Sequence, residues 1–121
     1  MCIRDRVYLD VGLTLHHVGP ARSRAILAEA LEITPFRKLL YSSDAYGLAE
    51  FHLLGALSFR QGLGALLQER VDADELSLPD ALRVAAWTSG DNARRLYGLP
   101  APAPSHQASA TERPPSPESM I

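Results

Sequence analysis

The sequence predicts an α/β fold built on a βαβ unit with parallel strands and completed by helices. Two apolar runs and the helical pattern between them carry that reading. "VYLDVGLTL" at 7–15 is nearly continuous in apolar residues with a single charge, which suits a strand buried on both faces, the kind that builds parallel sheets. A helix follows at 21–33. Pro20 suits its first turn, and Ala21, Ala25, Ile26, Leu27, Ala28, Ala30 and Leu31 recur among Arg and Glu at helical spacing until Thr34-Pro35 closes it. The second strand is 38–43, short and apolar, and it ends at Asp44.

A strand, a helix of about a dozen residues and a second strand form a right-handed crossover with parallel strands. Both strands therefore end on the same side of the sheet, where α/β proteins place their ligands. Asp44 follows the second strand there, and His16 and His17 follow the first.

Beyond Tyr46-Gly47, residues 48–71 read as a long helix that Gly55, Gly62 and Gly64 weaken, a break near Gly62 being the alternative. Ser77, with Asp80 three residues on, caps another helix that carries Leu82, Ala85 and Ala86. "SGDNARRLYGL" interrupts it at Gly90 and restarts as a short helix ending at Gly98. Residues 100–121 are Pro, Ser and Ala with almost nothing to bury, and a disordered tail is expected.

Composition narrows the function classes. The 121 residues suffice for one modest domain, and 46% hydrophobic with 21% charged is ordinary for a soluble globular chain. A net charge of -2 with scattered basic residues gives no electrostatic footprint for nucleic acid or an anionic membrane. No apolar run approaches a membrane span and no signal-peptide order is present. Cys2 alone makes neither a disulfide nor a zinc site, so a cytoplasmic location is expected. Residues 1–6, "MCIRDR", match the translation of a transposon end used in sequencing libraries and are set aside as non-native. Without them the chain has 10 basic and 13 acidic residues, a net -3. An adapter joined to coding sequence implies that the native N-terminus lies further upstream.

Three segments in this order, "VYLDVGL", "PFRKLLYSSDA" and "GDNARRLYGL", give residues 7–99 a family likeness. The chain resembles the C-terminal part of the amidohydrolase-related family, metal-dependent hydrolases and decarboxylases built on a (β/α)8 barrel. The nearest branch is the one related to the amidohydrolase domain joined to glutamine synthetase. The resemblance implies that the segments are the seventh strand, the eighth strand and a closing helix: the last two βα units of a barrel. It implies that Asp44 is the catalytic aspartate after the last strand, at or beside the metal, shuttling a proton from the attacking water. Ser42 stands where the family's Gly-Ser-Asp motif has glycine. A divalent ion, zinc first, is expected in the intact parent with a small-molecule substrate. The family's histidine ligands lie upstream of this chain, so the fragment is expected to bind no metal and to be inactive alone.

On that reading the parent hydrolyses an amide-like C–N bond. Nonoxidative decarboxylation on the same metal is the second reading, and a small non-enzymatic α/β protein binding a partner through apolar helix faces is the third. Without the resemblance, Asp44 reads as a turn or capping residue. His16 and His17 are pocket candidates or plain loop histidines, of which only one can face inward. His52, with Glu50, sits at the start of the long helix, either near the site or on a solvated face. Asn92 is expected to make buried hydrogen bonds that lock the closing helix, and Trp87 and Tyr97 to pack. Asp10 is a polar anchor or a residue at the mouth.

Overall fold

The computed structural model describes residues 6–101. The adapter-like start, apart from Arg6, and the tail from residue 102 onward, with its expected disorder, lie outside the described residues. Strand β1 is Leu9–Asp10 and β2 is Leu39–Leu40, paired in parallel with Leu9 opposite Leu39 and Asp10 opposite Leu40. Between them α1 spans Pro20–Ile33, so the crossover expected from the sequence is present.

Both strands are much shorter than the apolar runs, for local reasons. After β1 the Asp10 carboxylate accepts the Gly12 N–H at 2.7 Å, a side-chain bond that competes with ladder pairing. Gly12 passes so close to Ser42 that a Cβ there would collide with the serine's hydroxyl and carbonyl oxygens. The chain then winds into a 3₁₀ turn, Leu13–His16, which drives Leu15 into the core. Before β2, Pro35 precedes another 3₁₀ turn, Phe36–Lys38, so only Leu39 and Leu40 remain extended and paired.

Helix α1 starts with Pro20 at its first position and ends at Thr34, whose extended backbone is what a following proline imposes. Its inner face buries Leu27, Ala30 and Leu31, and Ser23 Oγ donates to the Leu15 carbonyl at 3.0 Å. Helix α2, Glu50–Asp72, lies against α1 and buries Phe59, Leu63, Leu66 and Leu67. It runs unbroken through its glycines. Gly62 is a contact point, since a Cβ there would lie 2.9 Å from Leu27 Cδ1.

Helix α3, Leu78–Ala86, is capped by Ser77, whose Oγ accepts the Asp80 N–H at 3.3 Å. The interruption expected at Gly90 is instead a π turn, Trp87–Asp91, that leads without a break into α4, Asn92–Tyr97. Thr88 Oγ1 donates back to the Val84 carbonyl at 2.9 Å there. Gly98, left-handed at φ 64°, ends α4, and the Leu99 N–H returns to the Arg94 carbonyl.

The fold class read from the sequence is corrected by this architecture. Helices occupy 68% of the described residues, and among them the sheet has two strands of two residues each, which do not amount to a segment of barrel wall. The apolar runs overstated the strands because much of their hydrophobicity serves other geometry: Leu15 is buried from a 3₁₀ turn, and Tyr41 packs half-buried against the core from irregular chain. The molecule is a helical layer, α1 to α4, closed over one minimal βαβ unit. A single cluster of Val11, Leu15, Leu27, Leu39, Phe59 and Val84 with their neighbours forms its core.

Candidate functional site

The two strands lead out at one end of the sheet, and Gly12 and Ser42 touch there. From Tyr41 to Ala49 the chain is irregular, turning at Asp44 (φ 46°) and Gly47 (φ 87°) before α2 begins. Asp44 is exposed in the left-handed region, which aspartate tolerates better than most residues but still at a cost. Its carboxylate is thus carried on a strained turn four residues beyond β2, which ends at Leu40 and does not reach Asp44 as the apolar run predicted.

The histidines divide as adjacent residues should. His16 is buried, 7% exposed, with its ring stacked on Phe51 at 5.3 Å between centroids; His17 is exposed and tilted against it at 4.4 Å. His52 is also exposed, and its Nδ1 lies 2.8 Å from Ser43 Oγ. Phe51 and His52, in the first turn of α2, therefore bring that helix over the ends of both strands. Glu50 is exposed at the same helix start.

Three groups meet on Gly55 of α2: His16, singled out in the sequence, and Tyr41 and Ser43, which sequence reasoning missed. A Cβ there would lie 3.0 Å from Tyr41 Oη, 3.5 Å from His16 Nδ1 and 3.6 Å from Ser43 Cβ. Tyr41 Oη and His16 Nδ1 are both buried without a hydrogen-bond partner among the described residues, a costly state for polar atoms. The Tyr41 ring stacks on Phe59 at 4.3 Å. Burial, and then the nearby Asp10 charge, push its hydroxyl above its usual pKa of 10, with Arg60 opposing. The phenol accordingly stays protonated across the physiological range. Gly55 was a usable signal, since it falls one helical turn after His52 and so on the same face. Asp10, left open between two roles by the sequence, is an anchor: its carboxylate binds the Gly12 N–H and stops β1.

Among the described residues no three His, Cys, Asp or Glu side chains converge as a metal site. Asp44 stands on its own turn, and the structure does not gather His16, His17 and His52 around it. No helix among the described residues is long and apolar enough to cross a membrane.

Comparison with known proteins gives one informative match. The chain is 33% identical over 98 residues to protein fluG of Emericella nidulans, an alignment covering 81% of this chain and 11% of fluG. The chain therefore spans about a ninth of that protein's length. No family model matches, and no solved structure does.

Proposed function

We propose that this chain is one part of a metal-dependent hydrolase of the amidohydrolase type, acting in the cytoplasm on an amide-like C–N bond of a small molecule. The observation that carries the reading is Asp44: an exposed carboxylate on a left-handed residue, in the irregular segment that follows β2 at the end of the sheet where His16, His17 and His52 also lie. A strained residue held in the turn beyond a strand suits a group that must be aimed. Two further observations support it. The order of the three motif segments resembles that family, and the likeness to fluG, over most of this chain but a small part of a far longer protein, supports only that the chain is part of a longer polypeptide.

The described residues do not by themselves make a metal centre. On this proposal the ion, zinc first among the candidates, takes its ligands from another segment of a longer polypeptide. Asp44 supplies the carboxylate that takes up and returns a proton. His16 is buried against Phe51 and Gly55 and acts through packing, whereas exposed His17 and His52 are the ones open to a substrate.

The genomic frame upstream of Val7 is the first test. An in-phase continuation encoding a His-x-His segment is expected, and an authentic start codon with its ribosome-binding site immediately before Val7 would contradict it. The extended polypeptide is then assayed for bound metal and for products. Ammonia or amine release is the expected result, and carbon dioxide release would move the reaction to nonoxidative decarboxylation. A second reading is favoured by one observation: Tyr46, Leu48, Leu53, Leu54 and Leu57 are all exposed around the start of α2, an apolar surface suited to a protein partner. Stable association without turnover would support it.

A further inference from the structure

Among the described residues, Ser43 and His52 hold a serine nucleophile and a histidine base in contact at the end of the sheet. Ser43 Oγ lies 2.8 Å from His52 Nδ1, within the distance at which a histidine takes a serine proton. Ser43 follows β2 on irregular chain, at the end of the parallel pair from which α/β folds present reactive groups. His52 is the third residue of a 23-residue helix, so the positive end of that helix lies beside the serine, where negative charge would develop on an attacked carbonyl or phosphoryl oxygen. The partners come from different elements, nine residues apart, and each is positioned separately. Ser43 Cβ sits by Gly55 alongside Tyr41 Oη and His16 Nδ1, and His52 is one residue from Phe51, whose ring stacks on buried His16.

We propose that Ser43 and His52 form a nucleophile–base pair that accepts acyl groups from small activated esters, an activity separate from the hydrolase reading above and requiring none of it. In the first step Ser43 Oγ bonds to the ester carbonyl carbon and its proton passes to His52 Nδ1. The C–O bond to the leaving alkoxide breaks as His52 returns the proton to it. The acyl-serine is then hydrolysed by water along the same route, releasing the carboxylic acid and restoring the hydroxyl.

A fluorophosphonate reagent tests this on the 121-residue chain itself. Ser43 attacks phosphorus, His52 takes the proton and fluoride leaves, so one phosphonyl adduct per chain is expected by intact mass, mapped to Ser43. Ser43→Ala should abolish it, and Ser42→Ala should retain it. His52→Gln preserves a hydrogen-bonding partner but removes the base, and should slow labelling at least tenfold with the far-ultraviolet dichroism unchanged. A folded wild-type chain that takes no label, a label on another residue, or His52→Gln labelling at the wild-type rate would overturn the proposal. None of these results bears on metal-dependent amide hydrolysis, so the two readings fail separately.

Discussion

The side-chain amide of Asn92 donates to the carbonyl of Leu39 at 2.9 Å and to that of Phe36 at 2.7 Å, joining the first residue of α4 to a strand more than fifty positions earlier. The Leu40 carbonyl accepts the N–H of Val11, the residue that follows β1. Successive carbonyls along a strand point to opposite edges, so Leu39 presents its own on the edge β1 does not cover. Asn92, 1% exposed, covers that edge. Asn92→Ala strands two carbonyls and should cost about 2 to 4 kcal/mol in urea denaturation. Asn92→Asp should cost more, because it sets a carboxylate against both. A loss under about 0.5 kcal/mol would show that the edge is satisfied in another way.

Two glycines of α2 should respond in opposite directions to the same substitution. A methyl at Gly62 would meet Leu27 Cδ1 at 2.9 Å, and Leu27 is fully enclosed by the core. Gly62→Ala should therefore lose about 1 kcal/mol net, overpacking outweighing the gain in helix propensity. Nothing lies within 4 Å of a Cβ at Gly64, so Gly64→Ala should gain about 0.5 to 1 kcal/mol. Thermal denaturation of the pair checks both signs.

Tyr41 should give the fold an alkaline limit. Its hydroxyl is held above the usual value of 10 by burial first and by Asp10 second. Below pH 10 the phenol is protonated in both folded and unfolded chains, and it contributes no pH dependence. As the pH rises past 10 the unfolded chain loses the proton while the folded chain keeps it, so stability falls until the folded value is reached. Denaturation midpoints between pH 9 and 12 should fall more steeply for wild type than for Tyr41→Phe. Parallel slopes for the two would show that the hydroxyl titrates as an ordinary tyrosine.

Sequence periodicity revealed the helices and their ends well: Pro20, the Ser77 cap and Gly98 act locally, and local signals are what a sequence displays. It also revealed the parallel crossover and the role of Asn92. It overstated the strands and, with the family likeness, suggested a barrel wall that the two-residue ladder does not form. The apolar runs could not show that Asp10 would bind Gly12, or that Leu15 would be buried from a 3₁₀ turn. Asp44 was visible as a carboxylate after an apolar run. Its left-handed backbone and the meeting of Ser43, Tyr41 and His16 on Gly55 depend on how α2 lies across the strand ends, which no local pattern encodes.

The most direct test of the central claim is amide hydrolysis by the extended polypeptide, wild type against Asp44→Asn, with metal content measured on both. Asp44 is exposed, so asparagine should leave stability within about 0.5 kcal/mol. The account predicts a loss of turnover of about 100-fold or more in a variant that remains folded. Unchanged turnover in a folded, metal-bearing Asp44→Asn polypeptide would contradict it.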